Sequence, residues 1–155
     1  ADHDLRPLTD RNDVDLDCRL LVERYVPGRE LTCAVLGDEP LAVTEIRPND
    51  GFYDYRAKYT EGFATHLVPA PLSPDLYEQV MAAALGAHRV LGCRGVSRAD
   101  FRLDPTQGED GLYLLEVNTQ PGMTPLSLVP EQAAWRGIPF PDLVERLLEW
   151  ARCDM

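Results

Sequence analysis

The sequence predicts an α+β fold, an antiparallel-rich sheet with helices packed on one side of it. Three observations predict it. Strand-like segments follow one another directly between residues 30 and 46 with only short turns between them. A single long stretch of helical periodicity, beginning near residue 74, separates them from a second strand pair. The remaining helical signals come only after that pair, so the strict β–α alternation of a doubly wound sheet is absent.

Taken in order, residues 1–17 carry six aspartates in a polar run without periodicity. This is the composition of a solvated, partly disordered lead-in, and residues 1–19 are separated on that ground from a folded unit over 20–155. Leu20-Leu21-Val22 is a short apolar run that reads as a strand, and Pro27-Gly28 a turn. Glu30 to Leu36 and Leu41 to Ile46 are rich in Thr and Val and flank Gly37-Asp38-Glu39, a strand–turn–strand pattern. Residues 48–62 form a long polar and aromatic loop, and Thr65 to Val68 another short strand. Ser73-Pro74-Asp75 starts a helix: a hydroxyl for the cap, proline at the first helical position and an acid in the first turn. Leu76, Val80, Ala83, Ala87 and Leu91 then recur at helical spacing, and Gly92 stops the helix. Val96 to Leu103 and Leu112 to Asn118 are strands of a hairpin with a turn-rich loop. Residues 127–136 read as helical, and Phe140, Leu143, Val144, Leu147, Leu148 and Ala151 mark a final amphipathic helix.

Composition narrows the function. The chain has 155 residues, enough for one domain with a core, and 45% of them are hydrophobic. A formal net charge of −11 leaves no basic stripe to neutralise phosphates, which argues against nucleic acid and anionic membranes as partners. No apolar run is long enough to cross a bilayer, and the acidic N-terminus is not a secretory signal. The cysteines, Cys18, Cys33, Cys93 and Cys153, make no CxxC pair and no zinc spacing, and read as reduced thiols of a cytoplasmic protein. Lys58 is the single lysine. No phosphate-loop or dinucleotide glycine motif is present.

Strand geometry singles out one group of residues. Along Val96–Leu103, Arg98, Asp100 and Arg102 point one way and Ala99, Phe101 and Leu103 the other. Along Leu112–Asn118, Leu114, Glu116 and Asn118 share a face. If Leu103 pairs with Tyr113, Asp100 lies opposite Glu116 and Arg98 opposite Asn118. Opposed carboxylates repel, and a cation between them reverses the sign of that interaction. Carboxylate and amide oxygens suit a hard ion such as Mg²⁺. The competing reading is a solvated strand face with incidental charges; the apolar setting of Leu114-Leu-Glu-Val-Asn118 weighs against an idle acid there.

The runs Gly92-Cys-Arg-Gly-Val-Ser-Arg-Ala-Asp-Phe101 and Tyr113-Leu-Leu-Glu-Val-Asn-Thr-Gln-Pro-Gly-Met-Thr-Pro125 resemble the C-terminal signature of D-alanine–D-alanine ligases of the ATP-grasp superfamily. Val22-Glu-Arg-Tyr-Val-Pro-Gly-Arg-Glu-Leu31 and Gly51-Phe-Tyr-Asp-Tyr-Arg-Ala-Lys-Tyr59 do so too, in the family's order and near its spacing. The resemblance runs from about Leu20 to about Trp150 and implies the C-terminal part of an ATP-grasp fold.

The resemblance further implies that Asp100, Glu116 and Asn118 ligate two Mg²⁺ ions, with Mn²⁺ an acceptable substitute and Glu116 bridging. It implies that Arg98 and the backbone amide of Gly122 stabilise the charge of the acyl phosphate and tetrahedral species. Ser127 and Leu128 would hold the carboxylate of the second D-alanine. Glu23, the backbone of Tyr25-Val26, Glu30, Phe52 and Leu115 would surround the ATP nucleoside. Lys58 and Tyr59 would belong to a loop closing over the phosphates and the dipeptide site. Taken singly, Glu23 and Glu30 are equally ordinary polar positions, Phe52 and Leu115 core residues, Tyr59 a cover for the sheet and Ser127 a helix cap. The implied activity is ATP-dependent peptide-bond formation between two D-alanines for peptidoglycan, in a cytoplasmic enzyme that is a homodimer at full length. The family's N-terminal half, with its phosphate-contacting lysines and glycine- and serine-bearing loop, has no counterpart here. The 155 residues alone are therefore expected not to catalyse ligation. The alternatives are another ATP-grasp carboxylate–amine ligase and a non-catalytic nucleotide-binding half-domain.

Overall fold

A computed structural model of the chain describes residues 23–48 and 64–152. The strand expected at Leu20–Val22, the greater part of the loop expected at 48–62, and Phe52, Lys58 and Tyr59 lie outside the described residues.

Five strands, β1 (Arg29–Leu36), β2 (Glu39–Pro48), β3 (Ala64–Leu67), β4 (Val96–Leu103) and β5 (Leu112–Asn118), form one sheet in the order β3-β2-β1-β4-β5. Every neighbouring pair is antiparallel. The connection from β3 to β4 contains α1 (Pro74–Val90), and α2 (Leu128–Trp135) and α3 (Phe140–Trp150) follow β5. The turn-rich loop of the β4–β5 hairpin winds as a 3₁₀ segment over Pro105–Gly111, capped by the Asp104 carboxylate, which accepts from the Thr106 amide.

Local chemistry accounts for the ends of α1. Ser73 Oγ accepts a bond from the Leu76 amide, Pro74 occupies the first helical position and Asp75 the first turn. Gly92, at φ +64°, takes the left-handed conformation just past the helix end. Val80, Ala84 and His88 form its buried stripe.

The helices do not lie on one side, as the sequence suggests; they cover both faces. Leu31, Cys33 and Val35 pack with Val43, Ala99, Phe101 and Leu103 against Val80 and Ala84 of α1. Ala34 and Leu36, of the opposite parity on β1, pack with Leu41 against Val129 and Ala133 of α2 and Leu143 of α3. The signal lies in β1 itself, buried on both faces from Leu31 to Leu36. A run apolar but for Thr32 and buried at every position belongs to a strand covered twice. At one end of the α1 face, Arg29 forks the buried Glu45 carboxylate at 2.9 and 2.8 Å and also donates to the carbonyl of Pro71.

The hairpin register also differs from expectation. Leu103 pairs with Leu112, not Tyr113, yet Asp100 still pairs with Glu116 and Arg98 with Asn118. A β-bulge between Asp100 and Phe101 reconciles the two, with Leu115 as the extra residue. It moves Leu114 off the face of Glu116 and puts Tyr113 on it. Leu112 and Val117 both pack against the α1 core although five positions apart, which requires an interruption of the two-residue period.

Candidate functional site

The face of β4 turned away from α1 carries Arg98, Asp100 and Arg102, all half-buried, while Ser97, Ala99, Phe101 and Leu103 are buried against the helix side. Strand pairing arranges this face in rows. One row runs Thr44, Thr32, Asp100, Glu116 across β2, β1, β4 and β5. On one side of it lie Glu30, Arg102 and Tyr113; on the other, Ala34, Arg98 and Asn118. Successive rows stand about 6.5 Å apart, two residues along a strand, and directly opposed Cβ atoms about 5 Å apart. α2 and α3 cover the Ala34–Leu36 end. Among the described residues no helix covers the end bearing the charged residues, and Glu116 is exposed.

Asp100 is held by hydrogen bonds to both carboxylate oxygens. Arg98 forks it, Nε to Oδ1 at 2.7 Å and Nη2 to Oδ2 at 2.6 Å. From the neighbouring strand the Thr32 hydroxyl donates to Oδ1 at 2.6 Å. Asn118 Oδ1 accepts from the Gln120 amide at 2.9 Å, which turns the chain out of β5. Among the described residues no three of His, Cys, Asp and Glu converge as a metal cluster. The donor set is two opposed carboxylates and one amide. This fits an ion that keeps water and phosphate oxygens in its shell, as Mg²⁺ does, and not a closed all-protein cage.

The nucleotide candidates meet this face through Arg102. Its Nε donates to the carbonyl of Val26 at 3.1 Å, and Nη1 lies 3.5 Å from Glu30 Oε2. The strap over residues 23–28 is thereby tied to the row of Glu30, with the Arg24 guanidinium 5.9 Å from the Tyr113 ring centre. Gly28 makes the approach possible: it sits at φ +108°, and a Cβ there would collide with the carbonyl of Leu103. Glu23 is exposed and Tyr25 is 75% exposed, so neither is used in the packing. Leu115, the bulge residue, is 55% exposed beside Glu116.

Past Asn118 the chain bends back so that Gly122 approaches Ser127. A Cβ at Gly122 would stand 2.8 Å from Ser127 Oγ. Ser127 occupies the cap position of α2, but its hydroxyl makes no bond to the helix end. It accepts from the Thr124 amide at 3.0 Å and lies 2.9 Å from Thr124 Oγ1. Leu128, the first residue of α2, is half-buried.

Three residues of this neighbourhood were given no role from sequence: Thr32 and Gln132, and Arg102, which alternation had placed on the charged face. Gln132 is wholly buried in α2. Its Oε1 accepts from the Ala34 amide at 2.8 Å, and its Nε2 donates to Thr44 Oγ1 at 3.0 Å and Thr32 O at 3.3 Å. The β1–β2 register shifts between Cys33 and Val35, so Ala34 falls at an irregularity of the ladder and its amide turns to a side chain. For Arg102, strand alternation with Arg98 and Asp100 was an available signal; for the other two, sequence offers none.

Helices on both faces of an antiparallel sheet, with acids and arginines gathered at one end of it, define the C-terminal part of an ATP-grasp fold. A solved D-alanine–D-alanine ligase from Bacillus anthracis, complexed with ATP, superposes with a TM-score of 0.68 at 33% identity, covering 83% of this chain and 41% of that one. Residues 7–149 match the family described as D-ala D-ala ligase C-terminus, and the chain belongs to that family. The D-alanine–D-alanine ligase of Rhizorhabdus wittichii is 60% identical over 132 residues, which are 85% of this chain and 42% of that protein. That of Zymomonas mobilis is 60% identical over 135 residues, 87% and 42% respectively. The chain thus spans under half the length of the curated relatives it matches.

Proposed function

We propose that the chain supplies the ATP- and Mg²⁺-binding part of a D-alanine–D-alanine ligase, a cytoplasmic enzyme of peptidoglycan precursor synthesis that is a homodimer at full length. Residues 20–155 constitute this part and residues 1–19 a lead-in. The observation that carries the reading is the pairing of Asp100 with Glu116, two acids facing each other in a chain of this family. Arg98 offsets the charge of Asp100 alone, and a divalent cation between the two acids would neutralise both.

In this reading Asp100, Glu116 and Asn118 hold two Mg²⁺ ions, or Mn²⁺ in their place. When bound, the ions neutralise phosphate charge and polarise the transferring γ-phosphoryl group. The carboxylate oxygen of the first D-alanine displaces ADP from the γ-phosphorus, giving an acyl phosphate. The amine of the second D-alanine then attacks the acyl carbon, and phosphate leaves as the amine gives up a proton. Arg98 stands in the row beside the acids and turns its guanidinium to the phosphoryl oxygens, a fork that matches their geometry. The Gly122 amide donates to the oxyanion of the tetrahedral species. Ser127 and Leu128, at the N-terminal end of α2, receive the carboxylate of the second D-alanine. Glu23 and the backbone of Tyr25-Val26 meet adenine, Glu30 the ribose hydroxyls, and Leu115 with Phe52 the adenine faces. Lys58 and Tyr59 close over the phosphates and the dipeptide site.

Calorimetric titration of Mg-ADP into the 155-residue chain tests the reading. The chain is expected to bind Mg-ADP, and Glu116→Gln to weaken that binding about tenfold or more, in the range of losing a charge-assisted ligand. Binding that is equally tight in Asp100→Asn and Glu116→Gln, or the same with and without Mg²⁺, removes the reading.

A further inference from the structure

We propose that Thr32 is a positioning residue for Asp100, holding one carboxylate oxygen so that the other is presented to a divalent cation; this rests on the metal reading of Asp100 and Glu116 given above. Thr32 lies on β1, the centre of the sheet, wholly buried, in the row that continues through Asp100 to Glu116. Valine has the same shape and would fill such a place without needing a partner. A buried hydroxyl needs one. The Thr32 hydroxyl has a single proton; Asp100 Oδ1 lies 2.6 Å away and the carbonyl of Ala99 3.2 Å, so the shorter, charge-assisted bond to the carboxylate takes it.

The two donors to Asp100 differ in kind. Arg98 is a long side chain on the same strand, two residues away, and reaches both oxygens. Its fork is also suited to phosphate, and a phosphoryl group that takes the Nε–Nη2 edge draws that edge off Asp100. Thr32 is short, β-branched and stiff at χ1. Its backbone is pinned from behind, since the Gln132 amide donates to the Thr32 carbonyl and to Thr44 Oγ1 while accepting from Ala34. When Arg98 turns to a phosphoryl group, Thr32 keeps Oδ1 in place. Oδ2, whose bond comes from Arg98 Nη2, is then released toward Glu116. Asp100 thus presents one oxygen in a fixed direction, as metal-ligating carboxylates do when an outer partner holds the second oxygen.

Binding of Mn²⁺ to the 155-residue chain in the presence of ADP, read from the loss of the free-ion electron paramagnetic resonance signal, tests this without turnover. Thr32→Val should weaken Mn²⁺ binding about tenfold, the lower end of the effect of removing an outer-shell partner. Thr32→Ser, which keeps the hydroxyl, should recover most of the affinity. Ser97→Ala removes a buried hydroxyl from the opposite face of the sheet, where it bonds His88, and should leave the affinity unchanged. Circular dichroism and a thermal melt accompany each variant, and Thr32→Ala takes the place of valine should the apolar chain fail to fold. Mn²⁺ affinity in Thr32→Val equal to that of the parent, with Asp100→Asn deficient, overturns the proposal alone. So does an equal loss in Ser97→Ala, which would mean a general structural effect. If Asp100→Asn binds Mn²⁺ like the parent, the metal reading itself falls and the role of Thr32 with it.

Discussion

His88 ties α1 to β4 through a buried bond, its Nδ1 2.7 Å from Ser97 Oγ. Burial pushes its pKa below the ordinary value of 6.5, against a smaller opposing pull from Asp38. The folded state therefore prefers the neutral ring, while the unfolded chain takes up the proton first. The stability this group contributes is present above the unfolded pKa and is lost as pH falls through the folded value. His88→Gln should flatten the decline of the denaturation midpoint as pH falls below the ordinary value of 6.5. An unchanged slope would locate the dependence elsewhere. Gly122 carries a second residue-scale prediction. Ala at this position meets Ser127 Oγ at 2.8 Å and forces the hydroxyl off the Thr124 amide. The Thr124 amide should then shift in the ¹H–¹⁵N spectrum and exchange faster, with stability changed by less than about 1 kcal/mol because the loop is open. An unmoved Thr124 resonance would contradict it. Residue roles of this sort were partly readable in advance. The face shared by Arg98, Asp100 and Arg102 followed from alternation alone, and α1 begins and ends where Ser73-Pro74 and Gly92 indicated. Thr32 was not readable, because nothing near it in the chain distinguishes it from Thr44, the other threonine of β1 and β2.

Among elements, α2 does more than cover the sheet. Gln132 passes its amide into the irregular stretch of β1 and satisfies three buried groups at once, on Ala34, Thr32 and Thr44. Gln132→Leu keeps the volume but orphans all three. Each unsatisfied buried group costs roughly 1–3 kcal/mol, and partial relaxation reduces the sum, so a loss of about 3 kcal/mol is expected in urea unfolding. A loss under about 1 kcal/mol would show that water replaces the amide. The β4–β5 bulge is the other element-scale feature. It explains why the sequence-based pairing of Leu103 with Tyr113 was off by one while the opposition of Asp100 and Glu116 was right. The error at the loop end and the extra residue Leu115 cancel at the site. Alternation could place Leu114 with Glu116 only by assuming a regular ladder, and the bulge breaks that assumption between them.

At the scale of the molecule, the sheet carries opposite duties on its two faces. The α1 face is closed by Leu31, Cys33, Val35 and Phe101, and burial there raises the Cys33 thiol pKa to about 12, so it behaves as a small apolar filler. Among the described residues, helices close the other face at the Ala34–Leu36 end. None of the described helices is long and apolar enough to cross a membrane. If the charged end binds Mg-nucleotide, binding must stabilise the whole fold by linkage. At a nucleotide concentration about 100 times the dissociation constant this is about 2.7 kcal/mol, or a rise in melting temperature of roughly 5–10 °C for a domain of this size. A melt unmoved by millimolar Mg-ADP would argue against a nucleotide site on this face, and one moved equally by ADP with chelator against a metal in it.

The sequence by itself determined the α+β class, the strands and helices within the described residues to within a few positions, the caps of α1, the partition of β4 into a packed and a charged face, and the family. These are properties of period, cap chemistry and motif, each contained in a short stretch of chain. Only the tertiary structure decided that helices cover both faces, that Leu115 is an extra residue, and that Thr32 and Gln132 stand behind Asp100. The last of these depends on groups 68 to 100 residues apart that meet because β1 lies between β2 and β4. Which strands become neighbours is settled by packing the whole sheet, and local sequence carries no record of it.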